Sequence, residues 1–353
     1  MVAHSDVNPA ASGEAPSTIP LPDGSSLRRE QRAAVYANPD RDLHGPCAVR
    51  TGGGDLLLCH QDSKAHHGGD GFVHQWRSRD QGQTWVDEGP AADWRDREYD
   101  ALFGEYGLAP NGRLVMVVQR RRPEGGNDAI VSSVWYTSDD EGHTWDYRGE
   151  VDTSHPDAVI TGREVVTCGS TLLFGAWSRL GSALYASADH GASWQRRSVV
   201  FPVEHPDFGG LAQSGPPYYP HVMPAADGGL VAVTYITPPA NCCYFRYSAD
   251  EGHTWGPVQR RDDIEVWAPR LGRLGDLLIM TGRDIGRRAT VLRASADGGH
   301  TWNGPHVVDQ PAHEGSYAYT DSLALSAHDL WVFTSSPQSP GRGDILGYRF
   351  SRS

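Results

Sequence analysis

The chain has 353 residues and carries 31 Lys plus Arg against 44 Asp plus Glu, a formal charge of −13. That balance argues against a nucleic-acid or anionic-membrane partner, either of which calls for a basic surface. The apolar runs are too short for a membrane-spanning helix. The 41 glycines and 24 prolines, without a collagen-like period, require many tight turns.

In chain order, residues 1–26 lack the basic start and apolar core of a signal peptide. Their composition predicts a disordered leader before a single domain over 27–353, with the cytoplasm as the default location. "RAAVYAN" (32–38) then reads as a strand. Beyond it the pattern S-x-D-x-G-x-[ST]-W occurs five times, starting at Ser78, Ser138, Ser187, Ser248 and Ser295. The copies are 60, 49, 61 and 47 residues apart, room for four short antiparallel strands per unit. The fourth unit shows the plan: "HVMPAADGGLVAVTYI" is a hairpin about Asp227-Gly228-Gly229, and "CCYFRYS" runs into the next box. Helical periodicity is nearly absent. The C-terminal "ILGYRFSRS" matches the strand that enters each box and stops where a sixth box would begin. A sixth unit therefore lacks its outer strand, which 32–38 can supply. The expectation is an all-β, six-bladed β-propeller of four-stranded antiparallel blades, closed by an N-terminal strand.

Within each box the Asp is suited to accept backbone N–H groups across a turn. The Gly is suited to a positive φ, and the Trp to packing beneath a strand. Asp80, Asp140, Asp189, Asp250 and Asp297 are accordingly expected to be structural. Cys47, Cys59, Cys168, Cys242 and Cys243 are odd in number and sit in strand-like runs, which predicts buried free thiols.

The boxes resemble the Asp-box repeat of the sialidase superfamily over about residues 30–351. That resemblance places the boxes on the outer rim. It places a pocket on the axis, lined by the starts of the innermost strands and by loops after the second strands. Those starts are "DLHGPCAV", "REYDALFG", "TGREVVT", "YYPHVMP", "EVWAPRLG" and "YAYTDSLAL", bringing polar groups including His44, Asp100, Arg163, Asp321 and Tyr319 toward one axis. The family mechanism uses a tyrosine nucleophile activated by a glutamate, an aspartate acid/base and three arginines on the sugar carboxylate. Tyr319 in "YTDS" matches the tyrosine, Asp62 the acid/base (with Asp70 competing), and Arg270 in "WAPRLG" the fifth-blade arginine. This chain departs elsewhere. His44 and Gly45 stand near the first-blade arginine, Tyr218, Tyr219 and His221 where the glutamate is expected, and Tyr235 in place of another arginine.

Three functions follow as expectations. One is an exo-acting, sialidase-like hydrolase of a small or terminal acidic sugar, with Glu164 or Asp100 pairing with Asp62 and Arg163 or Arg270 binding a carboxylate. A second is a lyase or isomerase on a uronate-type sugar, using Tyr319 and His221. A third is a sugar- or metabolite-binding propeller without turnover. His60, His66 and His67 lack a recognised ligand spacing, so neither metal nor cofactor is expected.

Overall fold

The computed structural model describes residues 17–66, 69–123, 130–152, 160–161, 164–178, 181–209, 218–237, 241–311, 318–339 and 342–353. Among them the backbone is almost entirely strand and turn. The helical elements are a four-residue helix, Pro206–Gly209, and a 3₁₀ turn, Arg95–Arg97. Neither is long enough to cross a membrane.

Four sheets of four or five strands cover residues 100–150, 160–202, 218–261 and 266–309. A nine-stranded sheet holds both ends of the chain. It comprises two antiparallel runs. One is Asp42–Arg50, Leu56–Ser63, Phe72–Ser78 and Val86–Ala92. The other is Thr320–Ser326, Asp329–Ser339, Arg342–Arg352 and Ser26–Tyr36. A single parallel bridge, Gly343 opposite Asp42, joins them. The first strands of successive sheets pack side by side around a hub, and Thr320–Ser326 returns to Asp42–Arg50. The result is an all-β, propeller-like ring.

The N-terminal strand Ser26–Tyr36 pairs antiparallel with Arg342–Arg352 from Leu27 opposite Arg352 to Tyr36 opposite Ile345. The stretch 32–38 thus falls largely within the strand that covers the C-terminal edge. Thr18–Pro20 adds one more strand beside it, within the segment expected as a leader; residues 1–16 lie outside the described residues.

The five boxes share one geometry. In the first, Asp80 accepts the Thr84 N–H at 2.9 Å and the Thr84 hydroxyl at 2.6 Å. The Ser78 hydroxyl donates to Asp80 and accepts the Gly82 N–H. Bonds from Thr84 and Thr254 pull Asp80 and Asp250 down to about 2, so these carboxylates are fully committed to the turn. The box glycines have φ between +82° and +92°. A Cβ there would strike the preceding sheet: Leu57 at 2.4 Å from Gly142, Val115 at 2.4 Å from Gly191, Leu184 at 2.3 Å from Gly252. From Gly82 it would meet Trp331 at 2.7 Å, which ties the first box to the last run. Core clusters fill the spaces between neighbouring sheets, and the five cysteines are free and buried, as expected.

Candidate active site at the hub

Four of the innermost strands carry the same irregularity. Pairing with the second strand slips between His44 and Cys47, Leu102 and Glu105, Tyr218 and His221, and Trp267 and Arg270. Inside each slip one residue is left-handed: Gly45 (φ +66°), Phe103 (+49°), Tyr219 (+46°) and Ala268 (+49°). These are β-bulges, which re-aim side chains at the cost of backbone strain, and non-glycine residues in this region are uncommon outside constrained sites. Their repetition sorts the hub into two groups of side chains, one aromatic and one ionic.

The aromatic group contains two of the bulged residues, Phe103 and Tyr219. Phe103 and Tyr219 lie edge-on to Tyr319, with ring centroids at 5.4 and 6.0 Å. Tyr219 stacks on Tyr235 at 6.4 Å, and Tyr235 approaches Trp267 at 6.3 Å. His44 and His66 stack against Tyr319 at 5.7 and 6.0 Å and against each other at 4.4 Å. The Arg283 guanidinium lies 5.1 Å from the Tyr319 ring centre and 5.4 Å from that of Trp267. Arg283 is 6% exposed, yet its Nε and Nη1 have no hydrogen-bond partner.

The ionic group contains three of the four residues two positions beyond the bulges: Cys47, Glu105 and Arg270. Arg270 Nη2 lies 2.9 Å from Glu105, 3.8 Å from Glu164 and 3.1 Å from the Cys47 sulfur. Its Nε is 2.9 Å from Asp321, a charge contact off the N–H direction. Asp321 also accepts the Ala48 and Ser322 N–H groups. One guanidinium cannot neutralise three carboxylates. Glu164 has the most exposed side chain of the three acids, 18% against 2% for Glu105 and 0% for Asp321. Desolvation, reinforced by the charges of Asp321 and Glu105, raises its pKa well above the ordinary value despite Arg270. Burial and the two neighbouring carboxylates thus favour the protonated form of Glu164 more than in an ordinary glutamate.

The structure brings together Tyr319, His44, Tyr219 and Tyr235 in one group and Arg270, Glu164 and Asp321 in the other. The remaining expected site residues have different work. Arg270 and Asp321 are buried against each other, so neither presents its charge to a ligand as the sequence reading expected. Asp62 accepts Arg41 at 2.5 Å and contacts His74 at 3.2 Å. Burial alone would raise its pKa, but those bonds hold it below normal, which makes Asp62 an ion-pair anchor rather than a proton donor. Asp100 accepts the Gly69 and Gly71 N–H groups, each at 2.7 Å, and latches a loop. His221 accepts the Leu271 N–H on Nδ1 at 2.6 Å and ties two sheets together; the histidines beside Tyr319 are His44 and His66. His60 is a core residue accepting the Trp76 indole N–H, while His67 and Arg163 lie outside the described residues. A rim groove lined by Asp189, Arg197 and His253 lies between the third and fourth boxes, where Asp189 is already bonded to Ser187 and Ser193.

Sequence reasoning missed Glu105 and Arg283. A signal for Glu105 exists: Pro46-Cys47, Gly104-Glu105, Pro220-His221 and Pro269-Arg270 put a turn-forming residue one position beyond each bulge, and in three of these four starts the next residue joins the ionic group. Arg283 stands in "MTGRDIG", at a second-strand exit of the kind expected to line the pocket.

A ring of box-bearing sheets around an aromatic and ionic hub defines an all-β propeller of the sialidase-like kind. A family model described as "BNR repeat-like domain" matches residues 105–332. The chain belongs to that family. Solved structures agree in fold. A protein of unknown function from Dyadobacter fermentans is 15% identical with a TM-score of 0.74, covering 93% of this chain and 99% of that one. The Hadza microbial sialidase Hz136 is 16% identical with a TM-score of 0.70, covering 92% and 68%. An α-L-arabinanase from Penicillium chrysogenum, complexed with arabinobiose, is 16% identical with a TM-score of 0.64, covering 92% and 98%. No curated protein matches in sequence.

Proposed function

We propose that the ring counts six blades, each antiparallel run of the nine-stranded sheet serving as one. We propose further that the hub is the site of an exo-acting glycoside hydrolase for a small or terminal acidic sugar. The observation that carries this reading is Arg283, nine-tenths buried with unpaired donors beside Tyr319 and Trp267. A sugar carboxylate satisfies such a guanidinium bidentately. Tyr219, Tyr235 and Trp267 supply flat faces for the ring. Glu164, its pKa raised, is the general acid that protonates the leaving oxygen. The Tyr319 hydroxyl is the nucleophile, its proton passing to water, and a water then releases the sugar from the tyrosine while returning a proton to Glu164. Family membership and the sialidase and arabinanase folds support the reaction class.

A second reading, a lyase or isomerase acting beside a uronate carboxylate, draws on the two imidazoles stacked on Tyr319. A panel of nitrophenyl glycosides of uronic and sialic acids separates the readings. Nitrophenol release supports hydrolysis, and an ultraviolet-absorbing unsaturated uronate without it supports elimination. Binding without either product indicates a sugar-binding propeller. Under the hydrolase reading, Tyr319→Phe abolishes turnover with little change in melting temperature. Arg283→Ala raises KM about 10- to 100-fold, the value of a charge-assisted contact. Full activity in Tyr319→Phe removes the nucleophile assignment.

A further inference from the structure

We propose that Asp42, His44 and His66 form a binding site for one divalent transition-metal ion of the zinc class, next to Tyr319. One donor atom from each residue lies within 4.8 Å of the others. Asp42 and His44 are two apart on the same innermost strand and so face the same way, while His66 reaches in from the loop after the second strand. His44 Nδ1 stands 3.5 Å from Asp42 Oδ1. Two ligands on a tetrahedral ion with bonds of about 2.0–2.1 Å stand roughly 3.3 Å apart, so this pair is already at the spacing such an ion requires.

His44 supplies an independent observation. It is 1% exposed, and neither of its ring nitrogens has a hydrogen-bond partner. At 3.5 Å the Asp42 oxygen is too distant to satisfy it. A buried imidazole with two idle nitrogens is costly unless something binds one of them, and a cation between His44, Asp42 and His66 does so. Two imidazoles and one carboxylate match the donor set of zinc, cobalt or manganese rather than the all-oxygen set of calcium. Three protein ligands also leave a position open for water or a substrate oxygen, beside the Tyr319 ring on which both imidazoles stack. The sequence carries no ligand spacing here because His66 joins the pair through the strand pairing of the hub. The proposal is independent of the reaction assigned above, and its test does not use turnover.

The test is equilibrium dialysis of the full chain, stripped with chelator, against Zn²⁺ or Co²⁺, with metal and protein quantified. The wild type is expected to take up one equivalent, and the Co²⁺ form to show the strong visible absorption of a low-coordinate site. His66→Ala, a change at a partly exposed loop position, is expected to weaken binding about tenfold or more, as is Asp42→Asn. His44→Gln follows them if circular dichroism shows it folded; if it is not, the other two variants decide. His143→Ala, on the exposed rim, is expected to bind as the wild type. Failure of the wild type to bind one equivalent overturns the proposal, as does uptake unchanged in both His66→Ala and Asp42→Asn.

Discussion

Arg270 and Arg283 are both nearly inaccessible arginines of the sheet over residues 266–309, and their surroundings give them opposite roles. Arg270 is met by Glu105, Asp321 and Glu164, so its charge is consumed inside the protein. Truncating such a residue leaves uncompensated buried carboxylates at a cost of about 3–5 kcal/mol, which makes it a poor probe of ligand binding. Glu164 is the better probe, because its raised pKa has a consequence for stability as well as chemistry. A carboxyl titrating at 4.5 unfolded but higher when folded contributes stability that is full below about pH 4.5 and is lost as the pH rises through the folded value. Glu164→Gln keeps the neutral shape and cannot ionise. The variant is expected to melt at or above the wild-type temperature at pH 7 and to lose the wild type's decline in stability above pH 4.5. Under the proposed hydrolase reading, its turnover should disappear. Thermal scans across pH check the first two points, and a lower melting temperature at pH 7 would show that Glu164 is ionised in the fold.

The bulged innermost strand is the element that turns a repeat into a site. The boxes were legible in the sequence because their work is local: Asp80, Ser78 and Thr84 bond one another within seven residues. The approximate positions of the innermost strands could be read from the same repeat. Which side chain of a start faces which neighbour could not, because a bulge inserts one residue into a period of two and reverses every assignment beyond it. Arg270 was thus assigned to a ligand when it faces Glu105, and His221 to Tyr319 when it accepts Leu271 N–H. Nor does any local pattern announce that Glu105, Glu164 and Asp321 converge from three separate sheets. The bulge can be tested at Gly45, where φ is +66° and an added Cβ would lie 2.8 Å from Phe103 Cδ1. Gly45→Ala therefore combines left-handed strain with a clash against an aromatic ring that borders Tyr319. A loss of about 1–3 kcal/mol in urea unfolding is expected. Gly24→Ala is the control, since its φ is also positive (+87°) but nothing lies within 4 Å of the added carbon. Equal losses in the two variants would show that backbone strain alone, and not packing against Phe103, sets the cost.

At the scale of the whole molecule, closure depends on sequence-distant partners. Ser26–Tyr36 covers the Arg342–Arg352 edge, and Trp331 meets the first box through its indole N–H to the Gln81 carbonyl and the Gly82 backbone that excludes a Cβ. Each contact joins the ends of the chain, so neither forms until most of the ring is present. They do different physical work. The terminal strand satisfies the backbone groups of Arg342–Arg352, whose exposure would create an edge open to another chain. Trp331 is fully buried and stacks on Phe333 with centroids 5.5 Å apart, so it contributes apolar burial at the seam. Removing residues 1–36 should consequently yield a chain that self-associates, visible as dimers or larger species by size-exclusion chromatography with light scattering. Trp331→Ala should stay monomeric but lose about 3–5 kcal/mol of stability, the cost of emptying an aromatic site in a packed core. A truncated chain that stays monomeric and melts as the wild type would mean that the paired termini only decorate a ring already closed by its hub.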